Sequence, residues 1–434
     1  MTDSLPSEVN VLILGGVTHL ARPLLAWLLS DEPARLGGPT VKHVRMVDKF
    51  LIAKEGSSTF VDPPTIAAIS DARVEYQQAN LNIPATAARV FEPSASGPFD
   101  FAFDLTGEGI VSSDVPAQLL LERTVKLAGS LAALAQKAGV KAYVRDTPPF
   151  WKSKVDEGLI QESSDVSKRS LPKGPRAYFY YEAERAVASI EGLPAAILRS
   201  AGVWGPAQYH GELPPRLALG EVYRIEKEPI KILWSGDLRL NTLHSQDWCT
   251  AAWSVARWLA QRDRAAADSQ AGEKLPAISP RDKGKGLNVE WNQDLPNCCP
   301  RAKVPTVPVF NVADDEDTNQ QKLLDAIGSF FGVETGFVNA AINAWAKLNL
   351  SSVVDEMNEK HSEMVAKIMA QTEITSTPFT LFLDTEAVAQ RTIALETTKI
   401  KNVIGWKPAR RLDDSGFEEM ISSFQDAGVW AKNR

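Results

Sequence analysis

The chain contains 434 residues, 44% of them hydrophobic, which is enough for one large two-layer domain with a second region attached to it. Its 47 Lys and Arg residues against 54 Asp and Glu residues give a formal charge of −7, and no basic run forms the pattern of a nucleic-acid-binding surface. We therefore expect no nucleic-acid partner.

We expect no export signal in the N-terminal segment. It lacks a basic region, and the apolar run at residues 9–14 is far shorter than the roughly 20 residues that span a bilayer. The cysteines, Cys249, Cys298 and Cys299, are too few for a disulfide framework, and no histidines stand near them at zinc-site spacing. These features predict a cytoplasmic protein with reduced thiols, no membrane partner and no metal site.

The first part of the chain alternates strands with helices. The run at residues 9–14 is apolar on both faces, breaks at Gly15-Gly16, and continues into a stretch with leucines at helical spacing. Further strands are predicted at residues 41–47, 74–78, 99–105, 140–145 and 195–199, and helices at 116–138 and 178–190. This order is typical of an α/β fold with a Rossmann-like, doubly wound parallel sheet that is covered on both faces.

The order loosens after about residue 200. Helices are predicted at residues 247–259, 319–331 and 339–371 and a strand at 307–312, whereas residues 262–305 are rich in charged residues, Pro and Gly and predict a surface insertion. We therefore expect a Rossmann-like domain at residues 1–205. A smaller, mainly helical substrate-binding region at residues 206–434 is expected to be interleaved with the sheet.

The turn after the first predicted strand suits a dinucleotide. Glycines there let backbone N–H groups and the positive end of the next helix approach a pyrophosphate. The residues placed to contact it are Gly15, Gly16, Thr18, His19 and Leu20.

Asp48 ends the second predicted strand, where a carboxylate accepts hydrogen bonds from the adenosine ribose; the alternative is a solvated turn aspartate. An acid at this point repels a 2′-phosphate. The sequence therefore predicts an NAD(P) cofactor with NAD favoured, while Lys49 keeps NADP open.

Further motifs follow in order along residues 9–421. The turn is similar to T-G-G-x-G-x-x-G, residues 137–144 to G-V-K-x-x-V, 193–206 to G-L-P-x-x-I-L-R-x-x-x-V-Y-G-P, 241–247 to H-V-x-D and 404–408 to L-G-W-x-P. Together they resemble the extended, atypical short-chain dehydrogenase/reductase family, the NAD-dependent epimerase/dehydratase-like group. The resemblance implies that Asn80 and Leu81 lie near the adenine and that Leu105 and Thr106 lie under the cofactor.

The resemblance also implies a catalytic Tyr, a Lys four residues later that lowers the pKa of the phenol, and a Ser or Thr that orients the substrate. Thr147 matches the last of these. No tyrosine in residues 178–181 has a lysine four residues later: Tyr178 is followed by Glu182, which would raise the pKa of the phenol, and Tyr181 by Arg185, which keeps a cation. Tyr178 and Tyr181 both remain candidates, and a tyrosine-rich packing face is the third interpretation.

Trp204 and His210 follow a predicted strand at the edge where such folds hold substrate, although a lone loop histidine is also an ordinary surface residue. We expect an NAD(P)-dependent oxidoreductase or epimerase/dehydratase-like enzyme that acts on a small hydroxylated or carbonyl compound, such as a sugar nucleotide or secondary metabolite. The alternatives are a cofactor-binding sensor or scaffold without redox chemistry, and an isomerase or cyclase without hydride transfer. Analogy with relatives alone suggests a homodimer.

Overall fold

The computed structural model describes residues 5–17, 20–52, 60–108, 115–148, 158–165, 174–278, 295–372, 374, 377–379, 381–383 and 385–432. The strands are β1 (Glu8–Leu14), β2 (Thr40–Asp48), β3 (Val74–Gln78), β4 (Phe101–Asp104), β5 (Ala142–Thr147), β6 (Ala195–Ser200), β7 (Gly202–Trp204), β8 (Ile230–Ile232), β9 (Thr242–His244), β10 (Gly272–Lys274), β11 (Thr306–Val312) and β12 (Thr335–Phe337).

The helices are α1 (Ala21–Leu29), α2 (Glu32–Arg35), α3 (Pro63–Ile69), α4 (Pro84–Val90), α5 (Ala117–Leu120), α6 (Leu127–Lys137), α7 (Gly174–Ala188), α8 (Leu213–Glu226), α9 (Ser245–Ala260), α10 (Arg264–Ala271), α11 (Gln320–Phe331), α12 (Ala340–Leu348), α13 (Leu350–Gln371), α14 (Thr385–Val388), α15 (Thr398–Ile404) and α16 (Asp414–Asp426). A π-helical segment, Leu121–Lys126, joins α5 to α6, and a 3-10 turn covers Glu162–Asp165. Of the helices in the described residues, none is long and apolar enough to cross a membrane.

Within the described residues, eight strands form one sheet in the order β10-β11-β6-β5-β4-β1-β2-β3. Neighbours from β11 to β3 run parallel, and β10 is antiparallel to β11 at the edge. The strand order reverses between β1 and β4, and folds of this type bind ligands at the carboxyl ends of the strands beside that point. The doubly wound α/β fold predicted from the sequence is confirmed.

The sheet separates two hydrophobic layers. Val11 and Ile13 of β1 face the layer that contains residues of α1 and α9, whereas Leu12 and Leu14 face the layer that contains residues of α6 and α7. Successive side chains of a strand point to opposite faces, so burial of both faces explains why β1 is apolar without alternation.

Part of the predicted surface insertion contributes to the sheet. Residues 264–274 form α10 and the edge strand β10, and Asp263 caps α10 by accepting a hydrogen bond from the Ala266 N–H at 2.8 Å. The guanidinium of Arg264 donates to the carbonyl oxygens of Leu193 at 2.9 Å and Ala188 at 3.0 Å. One of the charged residues that predict a loop here is therefore an arginine that binds α10 to the end of α7 and to the segment before β6. Residues 279–294 lie outside the described residues.

The second half of the chain is interleaved with the first. β11 extends the main sheet beside β6, and the short pairs β7-β9 and β8-β12 lie outside that sheet. The predicted helical stretch at residues 339–371 forms α12 and α13. α8 packs against α11 and α13. The carboxyl edge of the main sheet is thus bordered by residues from both halves.

Candidate functional site

The turn between β1 and α1 is enclosed by the ends of the neighbouring strands. The N–H groups of Gly15 and Gly16 both donate to the Val47 carbonyl oxygen, at 3.0 and 2.7 Å. Gly15 has φ +89°, and a Cβ atom there would lie 2.9 Å from the Leu105 carbonyl oxygen; a Cβ atom at Gly16 would lie 2.6 Å from Met46 Cγ. Only glycine fits these two positions without displacement.

The rest of the predicted cofactor turn is described in part. Leu20 is buried and precedes the first residue of α1, and its carbonyl oxygen accepts from the Leu24 N–H. Thr18 and His19 lie outside the described residues. The start of a helix directly after the turn has the unpaired N–H groups that bind a pyrophosphate.

Asp48 is buried against the turn. Its Oδ2 accepts a hydrogen bond from the Val17 N–H at 3.0 Å, and its Oδ1 accepts from the Lys49 N–H at 2.6 Å. Burial raises the pKa of Asp48, and these backbone bonds oppose the rise. Because each carboxylate oxygen has two lone pairs, Asp48 retains acceptor capacity for ribose hydroxyls while it holds the turn in place.

The other predicted cofactor residues follow the carboxyl ends of β3 and β4. Leu81 is buried, and Asn80 is exposed, with its Oδ1 accepting from the Asn82 N–H at 3.1 Å. The segment of residues 105–108, here called the β4 loop, begins with Leu105, whose N–H donates to the Leu14 carbonyl oxygen at 2.9 Å. The Thr106 hydroxyl donates to Asp104 Oδ1 at 2.6 Å. The β4 loop is therefore fixed to the ends of β1 and β4.

Thr147 ends β5 as a buried hydroxyl. Its Oγ1 is without a hydrogen-bond partner among the described residues, and the side chain is 2% exposed. A buried polar group of this kind costs stability unless a ligand or water satisfies it. The structure therefore places at the carboxyl edge of the sheet a hydroxyl of the kind the resemblance assigns to substrate orientation.

Arg145 shares the face of β5 with Thr147, because residues two apart in a strand point the same way. Its guanidinium is fully buried, pairs with Asp104 and donates through Nη2 to the Thr106 carbonyl oxygen at 3.0 Å. The Tyr143 hydroxyl donates to Asp104 Oδ2 at 2.7 Å. A buried ion pair thus lies directly beneath the β4 loop.

The structure does not bring Tyr181 and Arg185 to the β4 loop. The Tyr181 hydroxyl donates to the Pro276 carbonyl oxygen at 2.8 Å. Arg185 pairs with Glu182 at 2.6 Å and donates to the carbonyl oxygens of Leu275, Pro300 and Lys303. These side chains fasten α7 to the segments at residues 275–276 and 300–303.

Tyr178 lies in the same direction, because its hydroxyl accepts from Arg301 Nη1 at 3.5 Å. Burial and the charge of Glu182 raise the pKa of Tyr178 to about 12.

Tyr180 contacts the β4 loop, and the sequence did not single it out. Its hydroxyl donates to the Glu108 carbonyl oxygen at 3.0 Å. Gly107 has φ +146°, and a Cβ atom there would lie 2.5 Å from the Tyr180 hydroxyl oxygen, so a glycine is needed for this approach. Burial raises the pKa of Tyr180 to about 12, and the charges of Arg145 and Arg176 oppose the rise. The signal in the sequence is an arginine four residues before a tyrosine, the reverse of the expected order.

The two predicted substrate residues differ in exposure. Trp204 is buried, with its ring edge-to-face against His244 at 4.6 Å between centroids. His210 is exposed and follows Tyr209, whose ring lies 5.4 Å from the guanidinium of Arg22.

Arg22, also missed from the sequence, connects these elements. It donates to the Val17 carbonyl oxygen at 3.2 Å and pairs with the buried Asp62 at 3.1 Å. It therefore links the glycine turn to the N-terminus of α3 and to the loop that carries His210. In the part of the chain that the structure describes, no group of three metal-ligating side chains comes together.

No protein-family model and no curated protein sequence matches the chain. Solved structures resemble it. UDP-glucose 4-epimerase from Thermotoga maritima, with UDP-glucose, has a TM-score of 0.56 at 15% identity over 96% of this chain and 98% of that one. DesIV, a dTDP-glucose 4,6-dehydratase from Streptomyces venezuelae with NAD bound, has a TM-score of 0.61 at 15% identity over 97% and 98%. WbmG from Bordetella bronchiseptica, with NAD and UDP, has a TM-score of 0.58 at 13% identity over 98% and 97%. At these identities the likeness shows a shared fold.

Proposed function

We propose that the chain is an NAD-dependent enzyme of the epimerase/dehydratase-like, extended short-chain dehydrogenase/reductase type, with a sugar nucleotide as substrate. The observation that carries the proposal is the glycine turn closed on Val47 with the Asp48 carboxylate bound to its Val17 N–H. This arrangement provides, side by side, a backbone surface for a pyrophosphate and an acceptor for a ribose.

The residues present fit the dinucleotide. Gly15 and Gly16 carry no side chains, and α1 begins at Ala21, so this turn would hold the pyrophosphate. Asp48 would accept from the adenosine ribose hydroxyls, and Leu105 and Thr106 would support the cofactor from the β4 loop. When bound, the nicotinamide supplies hydride transfer.

Thr147 is the residue proposed to position the substrate. Its hydroxyl is buried without a partner among the described residues, so a substrate oxygen would satisfy a group that otherwise lowers stability. The solved structures of similar fold support this class of substrate, because they include enzymes with UDP-glucose, NAD and UDP bound.

The cofactor proposal is tested by calorimetry with NAD, NADH, NADP and NADPH on three proteins: the unmodified chain, Asp48→Asn and Asp100→Asn. Asp100 is the matched control, because its Oδ2 also accepts a backbone N–H, from Asn10 at 3.0 Å, but it lies at the amino end of β4. We expect Asp48→Asn to weaken NAD binding about tenfold and to narrow the preference for NAD over NADP, because a charged acceptor becomes neutral.

We expect Asp100→Asn to leave the affinity for NAD unchanged. A chain that binds none of the four nucleotides, or equal affinities in the two variants, would refute the proposal.

The substrate proposal is tested by incubating the NAD-saturated protein with UDP-glucose or dTDP-glucose and following the sugar protons by NMR. Conversion of either compound by the unmodified chain, retained in Thr147→Ser and lost in Thr147→Val, supports the proposed role of the hydroxyl. NAD binding without conversion of any sugar nucleotide favours the alternative in which the chain binds the cofactor but lacks redox chemistry.

A further inference from the structure

One guanidinium group, that of Arg22, joins three segments of the chain at the glycine turn. Its Nε donates to the Val17 carbonyl oxygen at 3.2 Å, its Nη2 donates to the Phe60 carbonyl oxygen at 2.8 Å, and its Nη1 binds Asp62 at 3.1 Å. The side chain of Arg22 is 9% exposed, and that of Asp62 is 1% exposed. Arg22 is therefore a buried cross-link and not a surface cation.

The backbone of Val17 is held from both sides. Its N–H donates to Asp48 Oδ2 at 3.0 Å, and its carbonyl oxygen accepts from Arg22. These two bonds fix the conformation of the glycine turn at this residue. Loss of either partner would free the backbone to adopt other conformations, and ordering it again when a ligand binds costs free energy.

The charge of Arg22 is compensated where it stands. Arg22 is the second residue of α1, where the helix dipole disfavours a cation. Asp62 neutralises that charge and is itself fixed, because its Oδ1 accepts from the Thr65 N–H at 2.9 Å at the start of α3. The contribution of the pair to the site therefore lies in where it holds the turn, and not in added charge.

The same guanidinium group lies against the loop of residues 205–212, here called the Tyr209 loop. Its central carbon is 5.4 Å from the ring centroid of Tyr209 and 5.8 Å from that of Phe60, and these two rings pack edge to face at 5.0 Å. A cation is attracted to an aromatic face. Arg22 thus contacts both the glycine turn and the loop that carries the predicted substrate residue His210.

We propose that Arg22 is a positioning residue that sets the affinity for NAD by holding the glycine turn, and that it transmits the packing of the Tyr209 loop to that turn. The inference deepens the proposed function and rests on it, because NAD is the ligand whose pyrophosphate would lie on the turn. In this role Arg22 acts through the Val17 carbonyl oxygen and is not itself a ligand of the pyrophosphate.

The first test is calorimetry with NAD on the unmodified chain, on Arg22→Met with Asp62→Asn, and on Arg45→Met with Glu75→Gln. The first double substitution removes one cation and one anion, so it leaves the net charge beside the turn unchanged. Urea unfolding of the same three proteins measures how much each change costs in stability.

Arg45 is the matched control for Arg22. It is also buried, binds the carboxylate of Glu75 at 2.9 Å, donates to two backbone carbonyl oxygens and lies over an aromatic ring. Those carbonyl oxygens belong to Val90 and Glu92, at the end of α4, and not to the glycine turn.

We expect Arg22→Met with Asp62→Asn to weaken NAD binding about five- to thirtyfold, which is the cost of ordering the backbone of one residue. The Arg45 control should leave NAD affinity unchanged even though it lowers the urea midpoint. The dependence of NAD affinity on salt concentration should be the same in all three proteins, because none of the substituted groups binds the phosphates directly.

The second test asks whether the Tyr209 loop acts on the turn through Arg22. Tyr209→Leu removes the ring beside the guanidinium group and should weaken NAD binding about two- to fivefold, the usual strength of such a contact. Tyr209→Phe keeps the ring and should leave NAD affinity unchanged. Tyr209→Leu added to Arg22→Met with Asp62→Asn should have no further effect, because the connection is already lost.

Unchanged NAD affinity in Arg22→Met with Asp62→Asn would overturn the inference, and so would an equal loss in the Arg45 control, which would assign the effect to stability alone. A weaker dependence on salt in the Arg22 variant would make the guanidinium group a direct phosphate ligand and remove the positioning role. An undiminished effect of Tyr209→Leu in that variant would show that the loop acts by another route. If the unmodified chain binds no NAD, the proposed function fails and the inference fails with it.

Discussion

Substitution of Gly15 by alanine measures how tightly the β4 loop closes on the glycine turn. Gly15 combines two constraints, a φ of +89° and a Cβ position 2.9 Å from the Leu105 carbonyl oxygen and 3.0 Å from its carbonyl carbon. The first constraint costs an L-residue about 1–2 kcal/mol. The second is overlap with backbone, which cannot turn away as a side chain does, and overpacking of this kind costs about 1–3 kcal/mol.

We therefore expect Gly15→Ala to lower the free energy of unfolding by about 2–5 kcal/mol in all. Gly139→Ala is the matched control, because Gly139 has φ +73° and no atom lies within 4 Å of its Cβ position. It should lose only the conformational share, about 1–2 kcal/mol.

Urea unfolding followed by tryptophan fluorescence gives both values, with equal slopes required for the comparison. NAD affinity should fall in Gly15→Ala and remain unchanged in Gly139→Ala, which lies before the amino end of β5. Equal destabilisation of the two variants would mean that only the backbone conformation requires glycine at position 15. The close approach of the β4 loop to the turn would then contribute nothing to that requirement.

Three further outcomes are expected. Burial raises the pKa of Glu162 from its ordinary value of 4.5 to about 7, so between these pH values the folded state keeps a proton that the unfolded state loses, and stability should fall as the pH rises. Glu162→Gln should reduce this dependence of the urea midpoint on pH. An unchanged dependence would show that Glu162 is not its source. Arg185→Met should lower the free energy of unfolding by about 3–5 kcal/mol, because it leaves Glu182 buried without its partner. Adding Glu182→Gln should restore part of that free energy in the same assay. No recovery in the double variant would show that the ion pair does not contribute to stability. Thr147→Val should raise the thermal midpoint, because it removes an unsatisfied buried hydroxyl, and a lowered midpoint would show that the hydroxyl has a partner in solution.

The sequence predicted the seven parallel strands of the main sheet in the described part of the chain, because most of them are buried on both faces. The strands expected at residues 9–14 and 307–312 are β1 and β11 to within one residue. Continuous apolar runs bounded by turn residues mark such strands without any need for tertiary information. Composition predicts a loop at residues 264–274, whereas the backbone carbonyl oxygens that bind Arg264 there belong to residues more than 40 positions away in the chain.

The sequence pattern could not predict which face of α7 lies toward the β4 loop, because that also depends on contacts with residues distant in the chain. Tyr178, Tyr180 and Tyr181 are all at least 96% buried, and the charged residues of α7 are buried as well, so the described part of the helix has no exposed face to indicate its orientation. What distinguishes the tyrosines is the segment each one meets: Tyr181 meets Pro276, 95 residues away, and Tyr180 meets Glu108, 72 residues away. The spacing of a tyrosine to a cation along the helix carries no information about either contact.

The use of arginine around α7 explains why a cation four residues after a tyrosine is a poor guide in this chain. An arginine has five N–H donors and can hold a carboxylate and several carbonyl oxygens at once, which an ammonium group on a flexible stem does less well. Arg185 binds the carbonyl oxygens of Pro300 and Lys303 in this way. Arg199 pairs with Glu184 and also donates through Nη1 to the Glu162 carbonyl oxygen at 3.5 Å. Each of these guanidinium groups binds a carboxylate and a loop at the edge of the sheet. Its position near a phenol is explained by these contacts and needs no role in proton transfer. Arg145 is subject to the same constraint, because Asp104 and the Thr106 carbonyl oxygen bind its guanidinium at the β4 loop.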